Sequence, residues 1–235
     1  MSDKKDNPAA SAGSAEGPAP LFENRFLNVY DLRNAPGGHY FAASRRKAGD
    51  LAAVMDDASF REMTPDAVTC AVIVSDPENE GEDGAKLLLS YEYRYPCGRF
   101  LLSPPAGLLD PGDSDGNGRT GAILAAAERE IFEETGLTLR RERGDRLDVV
   151  NPLLFSSPGM TDESNAIACA VLRISPDELK VRYDNVTGTE RFSGSLLLSR
   201  DEAAKILKDG RDESGNFYSV YTALVLMYFI SGMWR

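Results

Sequence analysis

Arg129-Glu130-Ile131-Phe132-Glu133-Glu134-Thr135-Gly136-Leu137 closes a run that predicts a helix beginning near Thr120. At about 100° per residue, Glu130, Glu133 and Glu134 fall within one narrow arc of that helix. Three carboxylates at i, i+3 and i+4 repel one another unless cations sit among them. Hard oxygens clustered in this way suit Mg2+ or Mn2+. Ala126 and Ala127 stand one turn earlier on the same arc and are small enough to leave room for metal, water and phosphate. Ile131 and Phe132 are expected to point into the core, and Gly136 to stop the helix. The competing reading is a solvated acidic face, because Glu-rich helices are common at surfaces.

Upstream, Pro105-Ala106-Gly107-Leu108-Leu109-Asp110-Pro111-Gly112-Asp113 is a loop-forming run that leads into the helix. Loop and helix together resemble the Nudix box: Gly, five residues, Glu, seven residues, then Arg-Glu-apolar-any-Glu-Glu-any-Gly-apolar. Gly107 supplies the first glycine, and Arg129 to Leu137 the complete second half. Two departures stand out. The first acidic position is Asp113 rather than Glu, and the interval from it to Arg129 is eight residues too long. The excess around Ser114-Asp115-Gly116-Asn117-Gly118-Arg119 is polar and Gly-rich, and reads as a loop insertion. Such an insertion costs little thermodynamically.

The net charge of −11 argues against nucleic acid as the main partner, since phosphate backbones need a basic face. A phosphate-bearing small molecule remains open if metal and local arginines neutralise it. Cys70, Cys97 and Cys169 have no metal-like spacing and are expected to be buried. An odd count without a leader-like apolar segment fits a reducing, cytoplasmic setting. The one histidine, His39, is expected to serve a turn or a dimer surface; a serine–histidine hydrolase built on it has no further support.

Residues 1–20 are rich in Ala, Ser, Gly, Pro and charge and predict a disordered tail. Residues 21–62 predict a β extension: a strand from Phe26 to Tyr30, a turn at Asn34-Ala35-Pro36-Gly37-Gly38, and a returning strand from His39 to Ser44. Residues 63–235 form the expected main domain. Its strands are expected at Ala67–Ser75, Lys86–Tyr95, Leu147–Phe155, Ile167–Ile174 and Phe192–Leu198, with a helix over Arg200–Lys208 and an acidic loop over Asp76–Gly84. Phe217–Trp234 contains no charge and nears bilayer-spanning length. Its Ser, Thr and Tyr content favours a buried C-terminal helix over a membrane anchor.

The resemblance narrows to the ADP-ribose pyrophosphatase (nucleoside-diphosphate-sugar hydrolase) group. Tyr93-Arg94 before the box, Pro105-Ala106-Gly107-Leu108 entering it, and Ser157-Pro158-Gly159 with Glu163 after it carry that likeness, which covers about Phe22 to Arg235. It implies a Nudix-type α/β/α sandwich around a mixed sheet, here with an N-terminal β-hairpin-like extension and an apolar C-terminal helix. It also implies a homodimer to which the N-terminal strands contribute, and hydrolysis of ADP-ribose to AMP and ribose 5-phosphate. Glu130, Glu133, Glu134 and the Ala106 carbonyl would hold Mg2+ (or Mn2+), with Arg129 keeping the glutamates in register. Glu163 would deprotonate water, with Glu134 or Asp162 in reserve. Arg94 and Arg45 would bind phosphate. Two further departures bear on activity: Ser103 stands where the group usually has Glu, and Glu92 where it often has an amide. Another nucleotide sugar or a dinucleotide, or a catalytically silent nucleotide-binding domain, are the alternatives.

Overall fold

A computed structural model describes residues 17–33, 37–79, 84–113, 116–186 and 188–235. Most of the expected tail, the first three residues of the Asn34–Gly38 turn, part of the acidic loop and the start of the insertion lie outside the described residues. The chain folds as two compact units, Met1–Met63 with Phe155–Glu163, and Thr64–Leu154 with Ser164–Arg235.

The first unit carries a three-stranded antiparallel sheet, β1 (Ala19–Glu23), β2 (Asn28–Asp31) and β3 (Phe41–Ser44), in that order. The expected hairpin is therefore β2–β3, with one more strand added in front of it. Ala19 and Pro20, assigned to the tail by composition, begin β1. A short helix, α1 (Asp57–Arg61), follows, with the Asp56 carboxylate accepting from Ser59 N–H as its N-cap. The segment Phe155–Glu163 completes this unit through a bridge from Thr161 to Ala43 and a hydrogen bond from Tyr40 Oη to the Gly159 carbonyl. His39 serves the sheet, its Nδ1 lying 2.7 Å from Asp31 Oδ2.

The second unit is built on a seven-stranded mixed sheet. It contains β4 (Ala67–Ser75), β5 (Ala85–Arg94), β6 (Arg99–Ser103), β7 (Ala106–Leu108), β8 (Arg146–Phe155), β9 (Ser164–Arg173) and β10 (Phe192–Leu198). The main path runs β10-β5-β4-β9-β8, with β6 paired to β5 and β7 to β4. β4 and β9 are parallel; β4 and β5 are antiparallel. The β-branched, apolar composition of β4 suits burial on both faces, and residues 68–74 of this strand are all buried.

Alternation sorts the strand residues onto two layers. Val68, Cys70, Val72 and Leu88 pack against Ile123, Ala126, Ala127 and Ile131 of α2 (Gly118–Thr135). Ala71, Ile73, Leu87 and Leu89 pack against α3 (Arg200–Asp209) and α4 (Val220–Ser231). The second unit is thus an α/β/α sandwich around a mixed sheet. α3 opens with a capping box between Ser199 and Glu202. α4 buries Val225, Leu226 and Phe229, and Thr222 Oγ1 donates to the Leu102 carbonyl at 2.9 Å. Among the described residues no helix is long and apolar enough to cross a membrane. Of the cysteines, Cys70 and Cys169 are buried as expected; Cys97 is exposed, because it ends a short 3-10 turn between β5 and β6.

Candidate active site

α2 delivers the acidic motif. Gly136, with φ of 71°, takes the left-handed conformation that ends the helix, and its N–H reaches the Phe132 carbonyl at 2.8 Å. Glu130 and Glu134 are buried and Glu133 is half-buried, so the three carboxylates do not form a solvated face. Two neighbours differ from expectation. Phe132 is 42% exposed, while Ala126 and Ala127 are fully buried in the core against β4 and leave no open space there. The small side chains serve close helix–sheet packing rather than ligand room.

The loop before the helix makes the closest approach. Ala106 and Gly107 belong to β7, which pairs antiparallel with β4 at Thr69 and Val68. Ala106 N–H points to Glu134 Oε2 at 3.3 Å. A Cβ on Gly107 would lie 2.0 Å from Glu130 Oε1, so only glycine lets this carboxylate in.

Arg129 organises the loop–helix junction. Its Nη1 lies 2.6 Å from Glu130 Oε1 and 3.4 Å from Glu133 Oε2. Its Nε and Nη2 grip both oxygens of Asp113 at 3.1 and 2.9 Å, and Nη2 also donates to the Leu108 carbonyl at 2.8 Å. Asp113 therefore meets Arg129 despite the long interval between them in sequence. The Arg129 pairing lowers the Asp113 pKa against the opposing effect of burial.

Around this junction charge is unbalanced. Burial raises the Glu130 pKa to about 7, partly countered by Arg129. Glu134, with no ion pair among the described residues, is pushed well above the usual carboxylate range by burial and by the nearby charges of Glu92, Glu130 and Glu190. Glu92, where the resemblance expects an amide, comes from β5, and Glu190, which no sequence motif marks, from the segment before β10. Arg94 pairs with Glu92, its Nη2 lying 2.5 Å from Oε2. Among the described residues the carboxylates of Glu92, Asp113, Glu130, Glu133, Glu134 and Glu190 thus outnumber the guanidiniums of Arg94 and Arg129 that face them.

Arg45 and Glu163 both belong to the first unit, and they pair with each other, Nε to Oε1 at 2.7 Å. Asp162 is likewise engaged there, by Arg46 Nη1 at 3.6 Å and by the Ala52 N–H at 3.1 Å.

Among the described residues no three His, Cys, Asp or Glu side chains come together as a group that could hold a metal ion as they stand. The donor set nevertheless suits a hard divalent cation. It is all carboxylate oxygen, it is short of positive charge, and Gly107 clears the approach to one of its members. Glu130 and Glu134 are the carboxylates of the set that lie against Gly107 and Ala106.

No family model matches this chain. It is 35% identical over 81 residues, 34% of its length, to a provisionally named nudix hydrolase 2 of Caenorhabditis elegans, of which 30% is covered. It is 33% identical over 97 residues, 38% of its length, to the chloroplastic Nudix hydrolase 14 of Arabidopsis thaliana, of which 28% is covered. The chain spans less than a third of the length of these curated relatives. Two relatives with Nudix names, at modest identity and partial coverage, support the Nudix superfamily for this chain.

Proposed function

We propose that this protein hydrolyses the diphosphate bond of a nucleoside diphosphate linked to another group, with ADP-ribose as the substrate and AMP and ribose 5-phosphate as products. The observation that carries the reading is the burial of Glu130 and Glu134 against Ala106 and Gly107, in a cluster where, among the described residues, carboxylates outnumber guanidiniums. Such a cluster needs cations, and a metal–diphosphate complex brings them.

Glu130, Glu133, Glu134 and the Ala106 carbonyl would hold Mg2+, or Mn2+ in its place. When bound, the ion would supply charge neutralisation to the diphosphate and acidify an attacking water. The chain's own groups do the rest. Arg129 keeps Glu130 and Glu133 apart from each other and anchored to the loop at Leu108 and Asp113. Arg94 binds a phosphate oxygen, exchanging its Glu92 partner for the substrate. The stacked rings of Tyr183 and Phe192, with centroids 5.1 Å apart, offer an aromatic platform for a base. Glu163 takes the proton from water as that water attacks one phosphorus and the bridging P–O bond breaks; Glu134 and Asp162 are the reserves for this role. Arg45, the ion-pair partner of Glu163, is the second phosphate ligand.

We also propose a homodimer formed through the first unit. Leu21, Phe22, Phe26 and Phe41 are all more than half exposed there, which supports an apolar interface.

The test is turnover of ADP-ribose with Mg2+, with Mn2+ and with EDTA, beside other nucleotide sugars, dinucleotides and nucleoside triphosphates. The expected result is metal-dependent AMP release, fastest from ADP-ribose and abolished by Glu134→Gln in a folded protein. Full activity of Glu134→Gln would discard the assignment of the glutamates. Binding of ADP-ribose without turnover would identify a silent nucleotide-binding domain instead.

A further inference from the structure

We propose that the cavity beyond the C-terminal end of α2 is an additional binding site, which takes a small phosphorylated molecule. It shares no residue with the candidate active site and stands apart from the reading given there.

Gly136 and Leu137 directly follow the acidic run of α2 and line this cavity, which measures about 260 Å3. Its buried lining is apolar. Leu172 belongs to the core beneath α2, and Leu137 and Ile174 pack against that core. Its rim is cationic. Arg140, Arg143, Arg173, Lys180 and Arg182 line it, against the carboxylates of Asp145 and Glu178. The whole chain carries a net charge of −11, so five cations around one concavity run against its composition.

Backbone ties hold this rim in place. Asp145 is buried, and its two carboxylate oxygens accept from the Arg140 N–H at 2.8 Å and the Arg173 N–H at 2.7 Å. That closes the loop over the short 3-10 turn Arg141–Arg143 and joins it to the end of β9. Gly144 lets the Arg173 stem come close, since a Cβ there would lie 3.0 Å from Arg173 Cδ. On the other side the Arg182 N–H donates to the Thr135 carbonyl at 2.8 Å and moors its segment to α2. Arg140, Arg143, Lys180 and Arg182 are exposed, on backbone fixed at both flanks.

These four cations are not neutralised from within. Among the described residues none of them makes an ion pair, although their neighbours Arg141 and Arg146 pair with Glu128 and Asp148. Asp145 is already engaged by backbone N–H groups. The C-terminal end of α2 adds roughly half a negative charge, which is too little to offset the rest. Cations gathered around a concavity focus their field on an anion of several charges, and guanidiniums match phosphate oxygens two at a time. The cavity is larger than a bare phosphate fills, and its apolar lining suits an organic body that carries one. A recess of this size fits a soluble phosphate ester better than a bilayer surface.

The experiment is isothermal titration calorimetry of the full chain in EDTA, with inorganic pyrophosphate and phenyl phosphate as probes and chloride at matched ionic strength as the control. Wild type is compared with Arg140→Ala/Arg143→Ala and with Arg94→Ala. The expected result is saturable binding of at least one probe at one site per chain. It should be at least tenfold weaker in Arg140→Ala/Arg143→Ala and unchanged in Arg94→Ala. Circular dichroism checks folding. Lys180→Glu, at an exposed position, replaces the double variant if that fails to fold, and is expected to weaken binding by a similar factor. No binding by wild type, wild-type affinity in the cavity variants, or loss of binding in Arg94→Ala would each overturn the proposal. Flotation with phosphatidylglycerol vesicles separates the two sources of phosphate. Capture that needs the same arginines, without binding of either soluble probe, would overturn the proposal in favour of a membrane surface.

Discussion

The carboxylate of Glu130 occupies the space that any side chain at residue 107 would need. A Cβ there would lie 2.0 Å from Oε1 and 2.1 Å from Cδ, well inside contact distance. Gly107→Ala must therefore push Glu130 aside or tilt β7. Displacements of about 1 Å at a reacting centre cost roughly 100-fold in rate. We expect a loss of turnover of that order with weakened Mn2+ binding, while the circular dichroism spectrum is kept. Steady-state kinetics beside a Mn2+ titration checks this, and wild-type values for both would show that Glu130 is not needed where it stands.

Asp113 is buried and holds Arg129 by two hydrogen bonds. Asp113→Asn keeps the shape and removes the charge. Leaving the guanidinium short of a buried partner is expected to cost about 1–3 kcal/mol. Arg129 would then lean further onto Glu130 and Glu133, so cation affinity should fall along with stability. Urea unfolding with and without Mn2+ measures both.

Glu130 gives the metal-free protein a pH dependence with a definite sign. Burial raises its folded pKa to about 7 from the ordinary 4.5 of a glutamate. Between those values the folded chain holds a proton that the unfolded chain has released. Stability from this group is therefore present at low pH, declines as pH rises from about 4.5 to about 7, and is level beyond. The contribution is at most about 3 kcal/mol. Glu130→Gln should flatten that slope in melting curves taken in EDTA from pH 5 to 8. Mn2+ must displace the proton, so its affinity should rise with pH up to about 7 and then plateau.

Phe22 and Phe41, at 53% and 60% exposure, test the proposed dimer. Phe22→Asp with Phe41→Asp is expected to convert a dimer to a monomer in light scattering after size exclusion, with the monomer still folded. A wild-type chain that is already monomeric at high concentration would rule the dimer out.

The sequence was most informative where burial is two-sided and continuous. β4 appears at the bounds its buried apolar run predicts, Ala67–Ser75, while β10, only partly buried, also matches its expected Phe192–Leu198. β6 and β7 are too short for alternation to register, and Pro104-Pro105 between them reads as loop. Yet β7 pairs with the first residues of β4 while β5 takes the last ones, so two strands share one edge of β4. The helix spacing was enough to bring Glu130, Glu133 and Glu134 together, because neighbours at i+3 and i+4 are fixed by local geometry. It could not say which flank of that arc meets the sheet, and so Ala126, Ala127 and Phe132 were misplaced. Glu92 depends on strand register, which no local period encodes, and Glu190 on the path of the segment before β10. Arg45 and Glu163 are far apart in sequence and meet as an ion pair only through the fold of the first unit.

The grip of Arg129 on Asp113 has an architectural consequence. It joins the turn at Pro111–Asp113 to the body of α2, so both banks of the Gly-rich excess are moored independently of what runs between them. The intervening chain is then free to lengthen over generations without moving the glutamates.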